Sequence, residues 1–477
     1  MRAEVLSSQD ITRIHDASMA ILGKTGVVVP HPDMLGRMEQ AGATVDRGRQ
    51  LVRLPEKLVM KLVAGAGKEF TICGRDPAKK AVFGKGVLNF NSIAGEAYWV
   101  DEPGKPRRFP TIKDVETAAR LGDALPNIDI AGAMADPHEL AVESRCVRVL
   151  ATLIRNTTKP VGLWFHDRAS ARFIVEMLIA LRGDEKRAAA APACYPFFEP
   201  ISPLRFPFNG IDLLYETARL NLPVPVGPMA QTGVSAPVTL AGTIAQESAE
   251  ILAGICITQL VKPGMPVCYG GICHAYDMRT TQMIFCGPEQ AIFGVAMTQM
   301  GKHYGLPVYI NVGLTDSKRP DAQAGLETGT TLVLGAAAGA DIFGHMGISG
   351  VDQGTSLDML VLQDEVISFV KRAVRPLEVT EESLALDVIS EVGPGGTYLD
   401  HDHTLENHRR EIWSPRILDR QYYEAWQKDG AKGTEERCSA RKRELLASHH
   451  PEPMPADLDR EFERIAAAAE RELVKKG

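Results

Sequence analysis

Between residues 85 and 373 short apolar runs alternate with longer stretches whose apolar residues recur every three or four positions. The runs at 86–91, 128–134, 160–165, 191–197, 223–229, 266–272, 307–311 and 341–345 read as strands. The stretches at 140–155, 169–181, 240–260, 288–304, 321–339 and 356–373 read as helices. Strand starts fall about 30 to 45 residues apart, the length of one βα unit. Eight units predict a closed (β/α)8 barrel over 85–376. An open doubly wound sheet is the alternative, but no strand leads into a G-x-G-x-x-G turn. Four of the runs begin at Pro160, Pro223, Pro266 and Pro307, where a strand does not need the missing N–H. Residues 1–84 read as a helical cap with a small β element. Residues 377–477 read as a helical extension, highly charged from 431 onward, that packs outside the barrel or against another subunit. A homo-oligomer is expected.

Composition removes some function classes. The 477 residues are 45% hydrophobic with a formal charge of −7, which does not suit a dedicated nucleic-acid binder. No uninterrupted apolar run reaches the roughly 18 residues of a membrane span. The first residues have no apolar signal core. Eight scattered cysteines form no C-x-x-C pair and read as reduced, buried thiols of a cytoplasmic protein.

In a barrel the side chains beyond the strand ends converge on one mouth. Here they are Asn89, Asn91, Asp136, His138, His166, Asp167, Tyr195, Phe197, Phe198, Glu199, Gln231, Tyr269, His274, Tyr276, Asn311, Asp316, Lys318 and His345. The set holds no metal-ligand cluster, no H-E-x-x-H and no phosphate-binding loop. Lys318 could form a Schiff base, but beside Arg319 in a loop it reads as a solvated lysine. Tyr195-Pro-Phe-Phe-Glu199 sets aromatic faces around a carboxylate, a combination that holds a quaternary ammonium by cation–π attraction and charge. The other reading makes Phe197 and Phe198 core residues. His345, between Gly344 and Gly347, reads as a ligand contact or as a histidine bonded to a neighbouring loop. His401, His403 and His408 fit no common metal spacing and read as loop-pinning residues.

Three segments together resemble the trimethylamine methyltransferase family. They are Asn311-Val-Gly-Leu-Thr-Asp-Ser-Lys318 followed by Asp321-x-Gln323-Ala-Gly325-x-Glu327, then Gly344-His345, and last Gly393-Pro-Gly-Gly396 with His403-Thr404 and Trp413. The resemblance spans nearly the whole chain. It implies a (β/α)8 barrel that demethylates a methylated amine and passes the methyl to Co(I) of a corrinoid (cobalamin) on a separate small protein. Trimethylamine-specific members carry pyrrolysine, which this sequence lacks. The resemblance is therefore to the pyrrolysine-free branch, similar to glycine betaine methyltransferases. A quaternary amine leaves as a neutral tertiary amine, so the protein need supply no catalytic acid and no metal. The expected binding set is Tyr195, Phe197, Phe198 and Tyr269 around the cation, Glu199 for charge, and His345, Asn311, Gln231 and Lys318 as donors to a betaine carboxylate. The corrinoid signature D-x-H-x-x-G is absent, Ala141 standing where Asp136-Pro-His138 would need its glycine. Two other functions fit the residues: a barrel lyase or hydrolase on a small anionic metabolite, and a non-catalytic betaine-binding protein.

Overall fold

The structure, a computed structural model, describes residues 1–474. The chain opens with helices Ser8–Ala20, Pro32–Ala41 and Glu56–Gly65. A capping box starts the first: Asp10 N–H donates to Ser7 Oγ and Ser7 N–H donates to the Asp10 carboxylate. Strands Val27–Val28, Thr44–Asp46 and Leu51–Arg53 form a small antiparallel sheet beside these helices. A hairpin of Phe70–Cys73 and Lys80–Phe83 follows.

Strands and helices then alternate. They are β1 (Asn89–Ser92), α1 (Ile112–Ala124), β2 (Ala131–Gly132), α2 (Val142–Asn156), β3 (Val161–Gly162), α3 (Arg168–Arg182), α4 (Phe208–Thr217), β4 (Val224–Val226), α5 (Leu240–Val261), β5 (Val267–Gly271), α6 (Pro288–His303), β6 (Val308–Ile310), α7 (Ala322–Ala338), β7 (Ile342–Met346) and α8 (Leu357–Val374). This is an α/β fold. Five strands form one parallel sheet in the order β4-β5-β6-β7-β1, and β2 pairs with β3, also in parallel. Single contacts connect the rest. Asn91 bridges Ile130, Val161 N–H donates to Ala193 O at 2.9 Å, and Phe198 bridges Val226. The run expected as a strand at 191–197 forms no ladder. Pro192 and Pro196 have no N–H to give, so the segment keeps only these isolated bonds.

Two apolar layers result. On the face of the strands away from the helices, Ile130, Tyr195, Cys268, Tyr309 and Ile342 meet Ile72, Ala81 and Phe83 of the hairpin. Asn89, expected at the mouth, instead ties that hairpin down: its amide donates to Val82 O and Asp341 O, and its oxygen accepts from Val82 N–H. The larger layer lies between strands and helices. Helix α5 is long and apolar enough to cross a membrane by length and composition, although Glu247 and Glu250 interrupt its apolar run; 83% of its most apolar 18 residues are buried inside the protein.

The final helices, Thr434–Ser448 and Ala456–Leu473, pack on the outer helices of this same chain. Phe462, Ile465 and Ala469 are buried there, and Arg148 pairs with both Glu463 and Glu470 at 2.7 Å.

Candidate functional site

The hollow that gathers the sequence-derived candidates has a volume of about 620 Å³ and opens beyond the C-terminal ends of β3 and β4. Trp164, Phe197, Glu199, Met229 and Gln231 line it. Trp164 Nε1–H donates to Gly95 O at 2.8 Å, which fixes the indole plane. The Phe197 ring stands edge-on to Trp164, 6.2 Å between centroids, and 5.2 Å from Tyr309. Gly227 makes room for that ring: a Cβ there would lie 2.6 Å from Phe197 Cζ. His345, at the end of β7, is buried behind that wall, its ring 6.1 Å from Trp164 and 5.7 Å from Tyr309. Gly344, just before it, packs against Tyr309 Oη where a side chain would collide.

Not every expected residue arrives. Phe198 and Tyr269 are corrections to the aromatic cage. Phe198 faces the helices, packing on Phe206 and against Gly254 of α5. The Tyr269 hydroxyl donates to Ser248 of α5 at 2.6 Å, and its ring packs beside Tyr304. Both side chains fall on the outward positions of the strand alternation, toward the helix layer. Tyr195 lies below the hollow in the inner core, 6% exposed. Asn311 is buried at the end of β6, its Nδ2 3.5 Å from His274 Nε2, and its Oδ1 has no protein partner. Lys318 is exposed and donates to Asp316 O; it lines a separate hollow of about 710 Å³ together with Asp352.

The site also holds acids and an aromatic that sequence reasoning missed. Trp164 was inside a correctly located strand run, but nothing in the run said which side it faced. Glu96 and Asp352 come from loops beyond β1 and β7. Enclosure by protein raises the pKa of both, and the two carboxyls are hydrogen-bonded to one another. Asp352 is held there by left-handed backbone at three successive residues: Gly350, Val351 and Asp352 have φ of 74°, 56° and 48°. A β-branched residue at such a φ stores strain, a feature that clusters at functional sites. Glu199 reaches solvent in the hollow but is otherwise surrounded by protein. That desolvation, with Asp352 nearby, pushes its carboxyl up to about 7.

The pKa of His166, which lines the hollow, is lowered by burial but raised more by Cys146, the Val142 carbonyl and Asp136, to about 9, so His166 is a cation at neutral pH. His345 and His274 are not. Burial pushes His345 down to about 3, with His274 adding to the effect, and burial also takes His274 to about 3. At neutral pH each ring is neutral, with one donor and one acceptor nitrogen. The Trp164 and Phe197 faces beside the Glu199 carboxyl, with the neutral His345 ring packed on Trp164, can hold a cation. Among the described residues no group of three or more His, Cys, Asp or Glu is placed to hold a metal ion.

The family model described as trimethylamine methyltransferase (MTTB) matches residues 1–473. Curated relatives include a glycine betaine methyltransferase of Desulfitobacterium hafniense (strain Y51), 29% identical over 98% of both chains. Another is the trimethylamine methyltransferase MttB of Methanosarcina thermophila, 30% identical over 95% of both chains. Among solved structures, the crystal structure of the Methanosarcina barkeri monomethylamine methyltransferase (MtmB) aligns with a TM-score of 0.46 and 11% identity, over 99% of this chain and 94% of that one.

Proposed function

Since the chain belongs to the trimethylamine methyltransferase family, we propose that it moves a methyl group from a quaternary amine, glycine betaine or a related betaine, to Co(I) of a corrinoid on a separate small protein. The observation that carries the substrate class is the hollow itself, where Trp164 and Phe197 stand beside Glu199. Aromatic faces attract a quaternary ammonium more strongly once it leaves water, and a carboxylate adds to that. The glycine betaine methyltransferase among the relatives supports the same choice.

We further read the eight strand segments as a closed (β/α)8 barrel. The bridges at Asn91 and Phe198 and the bond from Val161 to Ala193 support that reading, since they connect every neighbour the ladders leave open.

In this scheme the chain's residues hold and orient. Trp164 and Phe197 take the N-methyl groups, and Glu199 balances the charge. Gln231, which lines the hollow, offers an uncharged donor to the carboxylate end of a betaine, with the neutral His345 behind Trp164. The leaving amine is neutral, so no side chain must deliver a proton to it. A reduced corrinoid supplies the nucleophile that takes the methyl. This chain offers it no seat at Asp136-Pro-His138, since Asp136 is paired with Arg145 and His138 is stacked on Phe109. A partner protein that brings it to the mouth fits that arrangement. Holding the substrate in line and dry is the whole catalytic contribution.

Calorimetric titration tests the substrate class. Glycine betaine should bind at least ten-fold more tightly than tert-butylacetate, its uncharged-carbon isostere. Equal affinities would refute a site built for a cation.

A further inference from the structure

The second hollow, of about 710 Å³, opens at the same end of the strands as the aromatic one. Loops beyond β1, β6 and β7 line it, together with a hairpin beyond β5, Ala275–Asp277 paired with Gln282–Ile284. Its lining holds four cations, Lys105, Arg107, Lys318 and Arg319, and one acid, Asp352. Glu435 neutralises Arg319 through two bonds of 2.8 Å. The other three cations meet neutral acceptors. Arg107 donates to the Gln353 amide oxygen at 2.9 Å and lies 4.4 Å over the Tyr98 ring, and Lys318 donates to Asp316 O. Asp352 is hydrogen-bonded to Glu96, and burial raises its pKa. The hollow therefore has an excess of positive charge in a chain whose formal charge is −7.

Exposed apolar surface connects this hollow to the aromatic one. The hairpin gives Gln282 and Met283 to the basic hollow, and its turn carries Met278, 65% exposed. Met278 lies beside the loop of Val234 and Val238, 58% and 68% exposed: a Cβ at Gly233 would be 3.7 Å from Met278 Sδ and 3.7 Å from Val238 Cγ2. The same loop gives Val234 and Ser235 to the aromatic hollow. Asp352, in the basic hollow, is near enough to Glu199 that its charge raises the Glu199 pKa. The two hollows are neighbours, and basic and apolar surface runs up to the substrate side.

We propose that this surface seats an acidic face of the protein that brings the methyl acceptor, the basic hollow taking its carboxylates and Val234, Val238 and Met278 meeting its apolar centre. The inference rests on the proposed methyl transfer and adds to it where the partner docks and by what charge. Electrostatics favours that occupant. A chain of net charge −7 repels an acidic partner over most of its surface and draws it to the region where the sign reverses. The make-up of the surface points the same way. Apolar side chains beside a charged rim suit a protein face, whereas a small anion would have no use for them. Position agrees too, since a partner seated here stands beside the hollow of Trp164 and Glu199. Lys105 and Arg107 touch no substrate in this arrangement; they act on the encounter.

Methyl transfer from glycine betaine to two acceptors tests it: a reduced corrinoid protein, and free cob(I)alamin in excess, which needs no docking. With the corrinoid protein, kcat/KM should fall about ten-fold or more between roughly 20 and 300 mM KCl. The double variant Lys105→Glu, Arg107→Glu, on an exposed loop, should lose about ten-fold or more at low salt and most of the salt dependence. Lys105→Gln, Arg107→Gln should fall in between. Betaine affinity and the rate to free cob(I)alamin should stay at the wild-type level in both variants. A charge-reversed variant that keeps the wild-type kcat/KM for the corrinoid protein, or a wild type indifferent to salt, overturns the inference, while transfer to cob(I)alamin leaves the proposed reaction standing. Equal losses with both acceptors overturn it as well, because the two residues would then act on the site and not on docking. No methyl-Co(III) with either acceptor overturns the proposed reaction and this inference together.

Discussion

Glu199 sets the charge of the hollow, and its protonation gives two opposite pH trends. Its carboxyl lies near 7 in the folded protein. A permanent cation prefers the ionised form, so betaine affinity should rise as pH increases through 7 and level off above it. Glu199→Gln should flatten that rise and weaken binding roughly ten-fold at pH 8, read by calorimetry. Stability moves the other way. A carboxyl whose folded pKa is raised contributes fully below its unfolded pKa of about 4.3 and loses that contribution as pH rises through its folded value. The Tm of Glu199→Gln should therefore gain on the wild type between pH 4.5 and 7.5, and a constant difference would contradict the assignment. Trp164→Ala should weaken quaternary amine binding by roughly 3- to 30-fold. Tyr269→Phe should leave binding unchanged, because that hydroxyl faces Ser248 in the helix layer. At this scale the sequence was partly legible. Phe197 and Glu199 could be found from aromatic density around a carboxylate. Phe198 and Tyr269 could not be sorted from them, because a one-residue change of side reverses inside and outside: Pro196 leaves no ladder to fix Phe198, and the register of β5, which fixes Tyr269, is set only by its neighbours in the sheet.

Among the elements, α5 shows what a composition-based reading leaves out. Its apolar surface made it easy to recognise as a helix, but its function in the fold comes from two buried acids. Glu247 accepts from Ile272 N–H at 2.7 Å and Ala230 N–H at 3.2 Å, so one side chain holds the loops that leave β4 and β5. Glu250 accepts from Leu204 N–H and Ser202 Oγ, steadying the loop beyond Glu199. Burial, with Glu250 next, raises the Glu247 pKa well above the ordinary range. Glu247→Leu should leave two N–H groups unpaired and cost on the order of 3 kcal/mol in urea unfolding. Glu247→Gln, which keeps an acceptor oxygen, should cost clearly less. The βα period itself was legible from residue 85 onward, since apolar spacing changes from two to three or four at each strand-to-helix step. Most strand lengths were overestimated: the runs supply five to seven residues and the ladders use two to five. Proline at or near the starts of several runs removes donors that longer ladders would need.

For the whole molecule, the hairpin packs on the inner face of the strands, and the aromatic hollow with Glu199 opens beyond the C-terminal ends of β3 and β4. The fastening of the terminal helices across the outer helices was legible only as charge, because which partner each arginine meets depends on the fold. That the helices between 381 and 411 bury no residue was not legible in the sequence, since exposure is a property of the packing. Glu96 and Asp352 lie more than 250 residues apart, and only the meeting of their loops makes them a pair. The central claim joins these levels: a hollow suited to a cation serves a methyl transfer whose acceptor comes from outside the chain. The direct measurement is the absorption spectrum of a separately purified, reduced corrinoid protein mixed with this protein and a panel of quaternary amines. The account predicts conversion of the Co(I) spectrum to that of methyl-Co(III) only when protein and a quaternary amine are both present, with loss of rate in Trp164→Ala. No methyl-Co(III) with any betaine, or equal conversion with the protein left out, would contradict it.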